Sequence, residues 1–170
     1  MPIRDKQVIP VIANAISGLA LAYRDASPPS LKKYLRSTIG HMCRELEDFV
    51  EPRISVAAEN KAKELGLSVD LRQCHWDDQT TKMKDIGRKI FHWEHIVTVG
   101  DLTENVLTLR SPSQEAVEEI LRTADIAWIL KAEDDRLDLL GYRSKRRDPM
   151  ECYEKAEIRF AKHPDDKLEN

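Results

Sequence analysis

Glycine is scarce in this chain, six in 170 residues, and none falls in a glycine-rich phosphate loop or a dinucleotide fingerprint. No G-x-S-x-G turn is present either, which argues against the common nucleotide-dependent enzymes and leaves no serine-nucleophile motif to follow. Cysteine is equally sparse. Cys43, Cys74 and Cys152 are odd in number, form no C-x-x-C pair, and sit in a chain too large to need covalent staples. Reduced thiols in a cytoplasmic setting are therefore expected. There is no excess of positive charge: 27 Lys and Arg stand against 30 Asp and Glu, for a formal net charge of −3. A polyanion would have to be met by a local patch. Long hydrophobic runs are also missing. The most apolar stretch, Val8 to Tyr23, is interrupted by Pro10, Asn14, Ser17 and Gly18, and about 16 such residues fall short of the roughly 20 that span a bilayer. Its Ala20-Leu21-Ala22 mimics a signal-peptidase site, yet the segment is expected to be a buried helix of a soluble protein, with no membrane partner.

What is present is a core beneath a very charged surface, with 41% apolar and 34% charged residues. One compact domain is expected, organised as a helical region (1–68), an α+β region (69–162) and a C-terminal tail (163–170). In the first region Ile9, Ile12, Ile16, Leu19 and Tyr23 fall on one helical face. Pro10 lies in the first turn, where its missing N–H costs little. After the break at 26–30, with Ser30 as expected N-cap, Leu31, Leu35, Ile39, Met42, Leu46, Phe49 and Val50 describe a long amphipathic helix. Glu51-Pro52 kinks or restarts it, and Gly66 stops it. Two such helices want partner helices, and dimerisation through this half is one way to supply them.

Residues 69–88 show no sustained period, and the pattern then turns to β. Ile90 to Val99 is rich in β-branched and aromatic residues and reads as a strand closed by Gly100. Asp101 with Glu104 reads as a capping box for a short helix, and Ser111-Pro112 opens another. Ile126 to Lys131 is a short apolar strand, "AEDDRLDLLG" a short helix stopped by Gly141, and Asp148-Pro149-x-Glu151 caps a last helix. The expected class is α+β and mostly helical: long N-terminal amphipathic helices, then a small two-stranded ββα-like unit carrying a helical insertion.

The residues that carry chemistry are concentrated in His92-Trp93-Glu94-His95. Strand alternation puts His92 and Glu94 on one face, with Phe91, Trp93 and His95 on the other. Glu94 and His95 can act on one ligand only if the backbone bulges there. Such a pair suits metal-assisted hydrolysis, with a carboxylate holding a divalent cation while an imidazole takes a proton from water. Trp93 and Trp128, one per strand, read as paired core aromatics. Arg143, Lys145, Arg146 and Arg147 form the strongest basic run, suited to a phosphodiester backbone. Cys74, His75, His92 and His95 form a second candidate set, for zinc, although adjacent Cys-His ligands fit tetrahedral geometry poorly.

The acid-histidine pair and its hydrophobic continuation, "EHIVTV", resemble the first element of the HNH, or ββα-metal, nucleases. The resemblance covers about 50 residues, and the order strand, two-helix insertion, strand, helix fits a ββα unit opened by an insertion. It implies Glu94 as a metal ligand, His95 as general base, and Asp134 or Asp135 completing the site. His92 and Asn105 are further candidates. Thr98 replaces the proline often found after the pair, and the helix carries no histidine. Carboxylates in its place suit Mg²⁺ or Mn²⁺ over Zn²⁺. The resemblance thus implies metal-dependent cleavage of nucleic acid. The alternative from the residues alone is a non-enzymatic helical interaction protein, an adaptor or inhibitor whose His/Glu strand is structural.

Overall fold

A computed structural model describes residues 7–143 and 146–162. Lys145 of the basic run and the expected tail, 163–170, lie outside the described residues. The class is α+β and mostly helical. The chain divides into two compact units, each built from two stretches. One takes the described residues up to Val50 with Val97–Ala124, and the other takes Glu51–Ile96 with the described residues from Asp125 onward.

The first unit is helical, with α1 (Val8–Asp25), α2 (Pro29–Arg44), α4 (Val99–Leu107) and α5 (Gln114–Leu121). Ile9, Ala13, Ile16 and Ala20 of α1 are buried, and α1 packs on α5, α2 and α4. Ile39, Cys43, Leu102, Val106, Val117 and Leu121 share that core. The partner helices that α1 and α2 need thus come from the insertion between the two site strands. Three helix starts differ from the sequence expectation. The N-cap of α2 is Pro28, so Ser30 lies inside the first turn. Ser113 caps α5, and Thr98, not Asp101, caps α4 by accepting from Asp101 N–H. The Thr98 hydroxyl also donates to the Asp101 carboxylate at 2.8 Å, so Asp101 fills the third helical position of the motif.

The long helix expected from Leu31 to Gly66 ends at Arg44. Glu45, Glu47 and Asp48 follow in a 3-10 turn, where acids oppose the negative end of the helix dipole. Pro52 then excludes Glu51 from helical geometry. The chain leaves Pro52 as strand β1 (Arg53–Ile54), and α3 (Val56–Glu64) follows. The seam between the units falls near residue 50, where the sequence suggested a change of region at 68, and β1 and α3 lie in the unit that holds the sheet.

That sheet has three strands in the order β1-β3-β2, one more than expected. β3 (Ile126–Leu130) is central, parallel to β1 and antiparallel to β2 (Phe91–His95). One face carries Phe91, Trp93 and Trp128 against Ala58, Leu71, Cys74 and Met83. Trp93 and Trp128 are directly paired, with ring centroids 4.8 Å apart. The other face carries Ala127 and Ile129 against Leu137, Tyr153, Ala156 and Ile158. Over it run α6 (Lys131–Leu139), which starts one residue after β3, and α7 (Pro149–Lys155), capped by Asp148 as expected.

Two buried polar devices hold this unit together. Ser55 caps α3 by accepting from Ala58 N–H and donates at 2.6 Å to Glu133, which also accepts from Leu130 N–H. Ser55→Ala removes a cap and a buried charge-assisted bond together, and should cost about 2–3 kcal/mol in urea unfolding. A cost below about half a kcal/mol would show that Glu133 finds other donors. The second device is Asp85. It accepts from the Lys89, Ile90 and Phe91 N–H groups and from Gln79, and so fixes the entry into β2.

Candidate metal centre

β2 runs as a regular antiparallel ladder, with His92 opposite Ile129, Glu94 opposite Ala127 and His95 opposite Ile126. No bulge turns His95 toward Glu94, so alternation holds. His92 and Glu94 share the face that α6 covers, and His95 lies on the other. The expected Glu94–His95 partnership is thereby corrected to Glu94–His92.

The His92 Nε2 stands 3.2 Å from Glu94 Oε2 and 3.6 Å from Asp134 Oδ1. Asp134 comes from the first turn of α6, which β3 delivers directly over the β2 face. Among the described residues, His92, Glu94 and Asp134 are the one group of three or more His, Cys, Asp or Glu whose ligand atoms converge, within 4.8 Å of one another. Octahedral ligands roughly 2.1 Å from a small divalent cation stand about 3 Å apart when adjacent, close to the separations of His92 from the two carboxylates. The donor set of one imidazole and two carboxylates therefore fits a divalent cation in size and in chemistry.

Each carboxylate is also held from outside. Glu94 Oε1 accepts from the Arg146 guanidinium and, at 3.2 Å, from the Tyr153 hydroxyl. Burial opposes the charged form of Glu94, but the bonds to His92 and Arg146 outweigh it and hold the carboxyl below the usual range. Burial, with Glu94 beside it, pushes the Tyr153 hydroxyl far up, so it stays a neutral donor. Asp134 Oδ2 accepts from Lys131, whose ammonium also lies 3.4 Å from Asp135 Oδ1. That bond to Asp134 raises Lys131 above its ordinary value and keeps it charged.

Other expected residues fall elsewhere. The Asp135 side chain is 65% exposed and faces Lys131, outside the cluster. Asn105 sits exposed on α4 in the helical unit. The zinc set is not assembled: Cys74 is buried on the tryptophan face, and its neighbour His75 lies edge-on to Trp93. Of the basic run, Arg143 and Arg147 are exposed, the former 3.6 Å from Asp138. Arg146 is not a surface cation. Its side chain is 1% exposed, and it donates to Tyr142 O, His95 O, Tyr153 Oη and Glu94. Sequence reasoning missed Lys131 and Tyr153 altogether and took Arg146 for a nucleic-acid contact. Its position within a run of cations hid its role, whereas the parity of β2 already pointed to His92. Comparison with protein-family models, curated proteins and solved structures gives no match.

Proposed function

We propose that the chain is a metal-dependent phosphodiesterase acting on nucleic acid, with His92, Glu94 and Asp134 holding a divalent cation. The observation that carries this reading is the convergence of three ligand atoms from β2 and α6 on one spot. The arrangement of β2, β3 and α6 also suits the ββα order that the resemblance implies. One imidazole and two carboxylates favour Mn²⁺ or Mg²⁺ over Zn²⁺. A cation held there supplies Lewis acidity toward a phosphoryl oxygen and toward water. The chain's own residues do the rest. Arg146 and Tyr153 fix Glu94 so that Oε2 faces the site, and the exposed Arg143 and Arg147 offer charge to a phosphate backbone. His95 has no part in this arrangement.

Calorimetric titration with Mn²⁺ and cleavage of plasmid and labelled oligonucleotides test the reading together. Glu94→Gln and Asp134→Asn should each weaken Mn²⁺ binding and cleavage by roughly a hundredfold or more. His95→Ala and Asp135→Asn should stay within about threefold of the parent, since neither side chain reaches the cluster. Cleavage lost in His95→Ala but kept in His92→Ala would sink the proposal.

A second reading, a helical interaction protein or homodimer formed through α1 and α2, draws on exposed Val11 and Tyr34, 71% and 65% accessible, with Leu21 and Leu31. Light scattering of the purified protein decides it: a concentration-independent monomer removes the homodimer. No described helix is long and apolar enough to cross a membrane. Three buried thiols, none of them in a disulfide, suit the reducing cytoplasm as the proposed location.

A further inference from the structure

Each carboxylate of the triad already has a cation against it before any metal enters. Glu94 gives one oxygen to Arg146 and Asp134 gives one to Lys131, while the remaining oxygens face His92. A divalent ion held by a neutral imidazole, beside carboxylates that Arg146 and Lys131 already meet, leaves a positive surplus that the exposed Asp135 offsets only in part. Such a site is completed by something negative.

The two flanking cations differ in their freedom to meet it. Arg146 is enclosed, its donors directed at backbone carbonyls, Tyr153 and Glu94. The Lys131 side chain is 43% exposed, rests on Asp134 and exposed Asp135, and ends in a compact charge with three rotatable donors. Metal arriving on Asp134 weakens the hold of that carboxylate on the ammonium, because the two cations repel.

Resting on the metal reading above, we propose that the loaded site takes a phosphate-class anion and that Lys131 turns from Asp134 to contact it. A hard divalent cation and a point-charge ammonium side by side suit a compact oxyanion with several acceptors. Lys131 is then the residue that ties ligand binding to metal binding, through their shared partner Asp134.

Titration calorimetry tests this in two stages, Mn²⁺ into the protein and then inorganic phosphate into the Mn²⁺-loaded protein. Phosphate should bind the loaded parent and not the metal-free one. Lys131→Met should keep Mn²⁺ affinity, or tighten it up to about tenfold through lost repulsion. It should also lose phosphate affinity by about tenfold or more. Lys131→Arg should recover part of that loss, and Mn²⁺ binding by each variant reports an intact triad. A non-cleavable phosphorothioate oligonucleotide as second titrant separates a phosphodiester ligand from free phosphate, and acetate probes a carboxylate in the same place.

Phosphate affinity unchanged in Lys131→Met overturns the proposal. So does a tenfold loss of Mn²⁺ affinity in that variant, which would make Lys131 an orienting partner of Asp134. Acetate binding as tightly as phosphate overturns the ligand class. A parent that binds Mn²⁺ but ignores every anion overturns this inference alone, whereas a parent that binds no Mn²⁺ removes the metal reading beneath it as well.

Discussion

Arg146→Met is expected to destabilise the sheet-bearing unit by about 3–5 kcal/mol, because it strands a buried carboxylate without its counter-ion. Glu94 is 7% exposed and Arg146 6%, so water cannot replace the lost partner cheaply. The variant also loses donors to Tyr142 O and His95 O, which tie the loop after α6 to the end of β2. Urea unfolding followed by tryptophan fluorescence measures this directly, since Trp76, Trp93 and Trp128 all lie in the sheet-bearing unit. Adding Glu94→Gln should recover about 1–2 kcal/mol, because a neutral amide tolerates the pocket better than an orphaned charge. The two effects would then be far from additive. If Arg146→Met unfolds within about 1 kcal/mol of the parent, Glu94 is not dependent on that ion pair, and the part proposed for Arg146 in orienting it must be reassigned.

Asp85→Ala should cost nearly as much, about 3–4 kcal/mol, through a different loss. Asp85 is 1% exposed and satisfies three successive backbone N–H groups at the entry to β2. Alanine leaves the buried Phe91 N–H and the part-buried Lys89 and Ile90 N–H groups without this acceptor. Burial alone would raise the Asp85 carboxyl, yet the N–H groups of Phe91, Ile90 and Lys89, with Gln79, outweigh it and hold it below the ordinary carboxylate range. A depressed folded value means the contribution is complete above the unfolded pKa, near 3.9, and is lost as pH falls through the folded one. The stability gap between the parent and Asp85→Asn should therefore be widest at neutral pH and narrow below about pH 4. Unfolding both proteins across that range gives the test. A gap that widens on acidification would show that Asp85 is protonated in the native state.

Much of the architecture was legible locally. The three-and-four spacing from Ile9 to Tyr23 gave α1, the alternation through Phe91–His95 gave the two faces of β2, and Asp148-Pro149 gave the start of α7. The order of β2, insertion, β3 and α6 could also be read, and with it Asp134 and Asp135 as the acids of α6 to watch, though not which of them meets the strand face. What could not be read depends on contacts between distant residues. β1 is two residues long and exists because β3, far along the chain, pairs with it. Nothing around Arg53 announces this. Arg146 looked like surface charge among Arg143, Lys145 and Arg147. Its burial follows from Glu94, 52 positions earlier, which needs a counter-ion beneath α7. Asp85 sits in a stretch without period, where only the three-dimensional course of the loop shows which N–H groups need an acceptor. The site was therefore half legible: parity selected His92 with Glu94, while the HNH-like dipeptide drew attention to His95.

The central place of β3 bears on how the protein is made. Both strands that flank it are synthesised earlier, and the ion pair joining Arg53 to Asp125 spans 72 residues. Until that stretch emerges, β1 and β2 have no common neighbour and the apolar faces of Phe91 and Trp93 have no Trp128 to meet. Growth from the N-terminus therefore cannot complete the sheet stepwise, and closure waits for the last third of the chain. Long-range pairing of this kind slows folding and prolongs the exposure of unpaired edges. Neither unit, moreover, occupies a continuous stretch of sequence. A truncation that removes the C-terminal third takes the middle strand with it, and a protease cut within 97–124 splits the helical insertion and leaves β2 and β3 on separate pieces.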